Sequence, residues 1–415
     1  MSQASFALAP SPAKNAHMGR RIVVFGASLA FLSFLDRAAI SQAAPVIMRE
    51  LHLSPAQMGL VFSAFGITYA AGEIPSGRLC DRLGARLMLT RVVVLWSLFT
   101  AATGWAWNFS SLFVIRLLFG LGESGCFPSL AHMFRGWLTP EQRNAAEGIK
   151  AASARWGAAI TPLLMASMLA VMSWRWAFGI FGVVGLVWSA VFWRRYRNPG
   201  DENPAQGARP ISWSKLVRAR SVWALGVQWF CHYYGFYFYI TWLPIYLLKA
   251  RGLDLTHEAF AATLPLIAAG LGSLASGFFL TWVIRKSGSI ALSRKMFGYF
   301  AYGGASVLLL TSTVVHDAGL AIVVLSLSGF AAEFSSPISW TTAMDIGGEN
   351  VGSVSGFMNT LGHFGGALGP GITGFLLSYT AHAWSVVFYV SAAIYAIGAL
   401  CWAFIDPVRE LDLRR

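Results

Sequence analysis

Two charged side chains, Arg116 and Glu123, stand inside one apolar stretch, about Ser111 to Phe134, that is long enough to cross a bilayer. A charge at the bilayer centre costs roughly 2.5–3.5 kcal/mol on insertion scales, so two in one span point to a function. Seven residues of helix bring them back to the same face, about two turns and ~10 Å apart. That is too far for a direct pair and suits a cation and a titratable carboxylate lining one cavity. Gly120, Gly122 and Gly125 let other helices, or a ligand, approach the backbone closely. The plainer alternative is a buried ion pair with another helix, or snorkelling from the helix ends.

Other charges sit where lipid should exclude them. Asp36 and Arg37 adjoin in the middle of the first apolar span. Neighbours on a helix point about 100° apart, so they do not satisfy each other, and one can face a cavity while the other faces an adjacent helix. With Arg155 in the fifth span, Arg37 and Arg116 make three arginines able to converge on one anion. A guanidinium fork suits a carboxylate bidentately and keeps its charge. Lys150 lies near enough to a helix end to snorkel. Asp36 and Glu123 complete a proton-coupling argument. Burial favours a neutral carboxylic acid and a nearby arginine favours the charged one, so an anion that engages the arginine favours protonation of the acid. Glu73 lies near a span end and reads as structural, and for Glu333 a secondary proton site is the minor alternative. His232 reads as a packed polar aromatic, and Tyr69 as a cavity hydroxyl or simple packing.

The elements that must position these groups are long helices. The chain has 415 residues, 56% hydrophobic and 12% charged. About a quarter of a soluble domain is charged, so this is an all-α polytopic membrane protein. Apolar spans fall near 22–44, 56–78, 87–107, 111–134, 147–171 and 175–193. They resume near 222–248, 258–284, 296–315, 319–342, 353–379 and 384–405. The expectation is twelve transmembrane helices in two pseudo-symmetric six-helix bundles. A disordered tail 1–20 precedes an N-terminal bundle 21–197; a linker 198–220 leads to a C-terminal bundle 221–405 and a tail 406–415. Of 31 lysines and arginines, 23 fall in the tails, the linker and every second loop, and only four on the opposite side. The positive-inside rule then places both termini in the cytoplasm. Gly148, Ala151, Arg155, Gly157 and Pro162 of span 5 align without gaps on Gly356, Asn359, His363, Gly365 and Pro370 of span 11. Halves so related place a substrate site at the midplane between them, which brings Asn359 and His363 beside Arg155 as candidate contacts.

The net charge of +13 is distributed as topology signals rather than as a nucleic-acid face. The four cysteines fit neither a disulfide framework nor metal-ligand spacing. There is no nucleotide loop and no nucleophile–base pair, which argues against an enzyme or an ATP-driven pump.

Between spans 2 and 3 lies Gly77-x-x-x-Asp81-Arg82-x-Gly84-x-Arg86. Its acid can accept hydrogen bonds at a neighbouring helix N-terminus and pair with arginine, latching the halves in one conformation. This loop resembles the signature of the major facilitator superfamily. Phe34-Leu-Asp36-Arg37, Leu53-Ser-Pro-Ala-Gln-Met-Gly59, Arg116-x-x-x-Gly-x-Gly-Glu123, Trp174-Arg-Trp-Ala-Phe178 and Ser355-Gly-x-Met-Asn359 resemble its anion:cation symporter family. The resemblance implies a rocker-switch fold in a cell (inner) membrane, working as a monomer without cofactor and driven by a proton gradient. It implies that a small organic anion, such as a sugar acid or other mono- or dicarboxylate, is imported with protons. Arg37 and Arg116 would then hold substrate, Asp36 and Glu123 couple protons, and Tyr69 and Asn359 supply polar contacts. Glu73, His363 and the Thr281-Trp282 pair depart from the family pattern. An organic-phosphate or drug antiporter is the alternative transporter, and an anion sensor without flux ranks below both.

Overall fold

The computed structural model describes residues 12–199, 212–252, 255–380 and 383–412. Its helices are α1 (Pro12–Glu50), α2 (Pro55–Thr103), α3 (Phe109–Glu123), α4 (Cys126–Trp137), α5 (Pro140–Val171), α6 (Trp174–Arg195), α7 (Trp213–Arg218) and α8 (Arg220–Thr241). They continue with α9 (Leu243–Lys249), α10 (Leu255–Ser287), α11 (Ile290–Val314), α12 (Ala318–Glu333), α13 (Ser335–Gly347), α14 (Val351–Tyr379) and α15 (Trp384–Phe404).

A bilayer core is about 30 Å thick and a helix rises 1.5 Å per residue, so about twenty residues make one crossing. The 49 residues of α2 are too many for one, and the helix is broken at Gly84 with φ 78°, which makes it spans 2 and 3. The pairs α3/α4, α8/α9 and α12/α13 are each one span interrupted near its middle or end. With α7 outside the count, the described residues make twelve crossings, and an even number puts the two ends of the described chain on one face. That face is called the terminal side below. Of the tail 1–20, residues 1–11 lie outside the described residues and α1 already begins at Pro12. Residues 200–211 of the linker are likewise not described.

Helix starts follow local chemistry. Ser54 with Gln57 and Thr139 with Gln142 form capping boxes that satisfy the first free N–H groups of α2 and α5. The polarity of a soluble protein is inverted. Asp36, Glu73, Arg116, Glu123, Glu147, Lys150, Arg155 and Glu333 are buried, while Leu163, Phe375 and Leu400 are exposed on the outer surface, as a chain solvated by lipid requires.

The two bundles repeat one packing plan. In the first, α1 packs on α5, the first part of α2 on α3, and its second part on α6; in the second, α8 packs on α14, α10 on α12, and α11 on α15. The halves meet where α5 crosses α10 and where α14 crosses the first part of α2. At the α5–α10 crossing Gly148 faces Gly277, and a Cβ on Gly148 would stand 3.0 Å from the Gly277 Cα. Small residues permit this approach because no side chain has to fit between the helices.

Candidate functional site

Span 4 does not run straight through. α3 ends at Glu123, Ser124 is extended, and Gly125 takes φ 84°, a left-handed value that glycine adopts at little cost. A Cβ at Gly125 would also run into Ser76, so two constraints require glycine there. Glu123 is therefore the last residue of a helix that stops beside the protein's midline, and it is fully buried.

The Glu123 carboxylate accepts a hydrogen bond from Arg37 Nε at 2.9 Å and from Ser33 Oγ at 2.5 Å. Ser33 lies one turn before Arg37 on α1, so a single helix face supplies both donors. The plainer alternative weighed for Glu123, an ion pair with another helix, is thus realised, and its partner is Arg37. The Arg37 guanidinium lies among four aromatic rings, closest to Tyr69 at 4.4 Å, with Phe65, Phe34 and Phe127 beyond 5 Å. Arg37 Nη2 is buried without a hydrogen-bond partner. Such a cage stabilises a desolvated cation while leaving its N–H donors for a ligand.

Arg116 and Glu123 form no direct pair, in keeping with their spacing. Arg116 is 2% exposed, stacks at 4.1 Å over Phe119, and has charged neighbours in Glu123, Asp36 and Arg37. Asp36 turns away from Arg37 into the bundle, toward Trp96, Thr100 and Arg116. The adjacent pair thus divides as helix geometry requires, one toward the midline and one toward neighbouring helices.

The second bundle contributes the facing wall. The His363 ring lies 4.5 Å from that of Tyr69 and 5.1 Å from that of Tyr233, and both His363 Nε2 and the Tyr69 hydroxyl are buried without partners. Asn359 accepts from Trp229 Nε1 at 3.1 Å, leaving its amide nitrogen unpartnered.

Arg155 corrects the picture of three free arginines. Its Nε donates to Glu333 Oε1 at 3.0 Å and its Nη2 to the same oxygen, while its guanidinium stacks at 3.7 Å on Phe236. Glu333 also accepts from Ser273 Oγ at 3.0 Å and has His232 Nε2 at 3.5 Å. The cation from the first bundle is therefore already paired with an anion of the second. Arg155 and Arg37 nonetheless share Phe34, with their guanidinium groups 5.5 and 5.2 Å from that ring.

Two expectations fail on burial. Lys150 does not snorkel: it is 2% exposed and paired with Glu147 on its own helix. Glu73 is not at a span end, because the second span continues to Gly84. It is fully buried, receives the Gly125 N–H at 3.4 Å and faces Tyr69 and Asn359. Sequence reading also missed Ser33, whose signal was its place one turn before Arg37. It also missed Tyr233, whose ring faces His363.

On the terminal side Asp81 accepts from Gly352 N at 2.6 Å, Ser353 N at 2.8 Å and Ser353 Oγ at 2.7 Å. These donors form the N-terminus of α14, so an acid of the first bundle caps a helix of the second. Its nearest basic partner is His132 at 3.5 Å rather than an arginine. Gly77 is helical and presses against Gly352; Gly84 is the turning residue. Arg82 is exposed, and Arg86 ties back to span 6 through the Trp193 carbonyl at 2.9 Å. In the second bundle's copy of this loop, Thr281 donates one neutral hydrogen bond to the Glu141 carbonyl at 3.1 Å. Arg143 reaches Asp345 at 2.6 Å and Arg135 the Met344 carbonyl at 2.9 Å, closing the same side further.

Twelve crossings, a two-fold packing plan and a charged, aromatic-lined midline describe a solute carrier. Residues 26–370 match the Major Facilitator Superfamily. A probable sulfoacetate transporter of Cupriavidus necator is 33% identical over 402 residues, covering 92% of each chain. The hexuronate transporter of Bacillus subtilis is 32% identical and covers 86% of this chain and 88% of its own. Among solved structures, a proton:xylose symporter superposes with a TM-score of 0.77 at 14% identity, over 94% of this chain and 96% of its own, which is likeness of fold. The chain belongs to the major facilitator superfamily. It is an integral multi-pass membrane transporter, not an enzyme.

Proposed function

We propose that the chain imports a small organic anion, a sugar acid or other mono- or dicarboxylate, together with protons by alternating access. The terminal side faces the cytoplasm of a cell whose inner membrane holds the protein as a monomer. The observation that carries this reading is the pair of half-buried Arg37 with fully buried Glu123 at the meeting of the halves, with Arg37 Nη2 still unpartnered. A carboxylate arriving from outside takes the guanidinium, whose bidentate match outweighs the single bond to Glu123. Glu123, left with Ser33 alone in a low-dielectric pocket, then holds a proton, and Asp36 beside Arg116 relays or stores a second. Tyr69, Asn359 and His363 supply hydroxyl, amide and imidazole contacts to the solute from both halves. Relatives named for sulfoacetate and hexuronate, both organic anions, support the substrate class.

The test is Glu123→Gln in proteoliposomes. The amide keeps the shape but neither binds nor releases a proton, so accumulation driven by a pH gradient is lost while exchange between labelled and unlabelled solute persists. Undiminished accumulation would refute the coupling role. Transport restricted to neutral or cationic solutes would refute the substrate class.

A further inference from the structure

Glu147 and Lys150 lie outside the arrangement just described, and neither has a part in it. Both are buried, at 0% and 2% exposure, and they pair with each other three residues apart on α5. The Lys150 Nζ lies 4.2 Å from the Trp340 ring and 5.4 Å from that of Phe127. Phe127 belongs to α4 and Trp340 to α13, so the ammonium is roofed by one ring from each half, 6.0 Å apart. Arg37 lies 5.7 Å from the same Phe127 ring. The two cations thus share one aromatic side chain. Lys150 is five residues, about 7.5 Å along the helix, nearer the terminal side than Arg155. Six residues further toward that side, between one and two turns, is Asn144, fully buried with both amide atoms unpartnered.

An ion pair between the halves acts as a latch, but one confined to a single helix moves with that helix and holds nothing together. Burying both charges is unfavourable compared with an apolar pair of the same volume. Across the halves the closed state holds Lys150 by the face of the Trp340 ring, a weaker hold than an ion pair between the halves would give. The state in which its charge can serve a solute is the one where the terminal side opens, the two rings part, and water reaches the ammonium.

We propose that Lys150 is a second anion site, used when the carrier is open on the terminal side. The carboxylate passes from Arg37 past Phe127 to Lys150, and Glu147 is the counter-charge that holds the site when it is empty. The proposal rests on the organic-anion reading above. An ammonium is a compact, strongly hydrated point charge without the arginine fork, so it holds a carboxylate less firmly, as a release site should.

The test uses the full-length protein in proteoliposomes of defined orientation, with labelled hexuronate and sulfoacetate as probes. Lys150→Gln raises KM about tenfold for solute offered on the terminal side and leaves KM on the other side within twofold, and Lys150→Arg restores it. Glu147→Gln shifts the same terminal-side KM downward, a direction that a merely structural pair would not produce. An equal change on both sides, or none on either, in Lys150→Gln overturns the proposal. So does a rise in terminal-side KM in Glu147→Gln. Arg37→Ala is the control for the underlying reading: if it leaves both probes transported, the organic-anion site fails independently of Lys150.

Discussion

Replacing Asp81 by Asn isolates the terminal-side latch. The native carboxylate accepts three hydrogen bonds, two from backbone N–H groups and one from a hydroxyl, all within 2.8 Å at the start of α14. Hydrogen bonds to a charged group contribute roughly 1.5–3 kcal/mol each, and a charge at a helix N-terminus about 0.3–1 kcal/mol more. An Asn amide keeps one acceptor oxygen and turns its NH₂ toward a donor. One bond is therefore lost outright, and the others fall from charge-assisted to neutral strength. The sum, roughly 3 kcal/mol, is about a hundredfold shift in the balance between terminal-side closed and open states, at 1.4 kcal/mol per factor of ten. Spin labels on the terminal ends of α4 and α13 should show the short separation as the main population in the native protein and as a minor one in Asp81→Asn. Thr281→Ala, which removes one neutral bond, should move the populations by less than tenfold. A distance distribution unchanged by Asp81→Asn would refute the latch and the energy assigned to it.

Arg155→Ala breaks the buried pair with Glu333 and strands that acid among Ser273 and His232, which costs about 3–5 kcal/mol when one partner of a buried pair is removed. Transport of dicarboxylates should fall at least tenfold further than that of monocarboxylates. Equal loss for both classes would show that Arg155 serves structure alone. Gly148→Val places branched carbon against Gly277 and Ser273 and should bar closure of the terminal side, leaving binding from the opposite face weakened and its recovery on solute addition absent in the same spin-label measurement. Tyr69→Phe removes an unpartnered buried hydroxyl and should weaken solute binding about tenfold, read by thermal shift with the transported anion, while stability without solute stays the same or rises.

Much of the carrier is written in spacing. Apolar runs of crossing length fix the number of spans, and the gapless match of Gly148–Pro162 with Gly356–Pro370 corresponds to two helices that occupy equivalent places in the two bundles. Arg116 and Glu123 were conspicuous because lipid tolerates so few charges. Periodicity assigns a residue to a helix face, however, and says nothing of which helix covers that face. This is why Glu333 could be noticed without its partner Arg155, 178 residues away. The same limit made Lys150 look like a snorkelling residue, since the covering Trp340 comes from the other half of the chain. Glu73 was misplaced for a different reason: the arginines from Arg78 onward suggest that the membrane ends there, while the helix itself runs on to Gly84.

The interruption at Ser124–Gly125 has a mechanical consequence. Glu123 terminates one helix and Phe127 sits in the first turn of the next, with Ser124 and Gly125 as the joint between them. On the proposed mechanism, reading the cargo and swinging the door fall to separate levers, and a side chain at Gly125, which would collide with Ser76, should yield a carrier able to recognise its solute but unable to let it go.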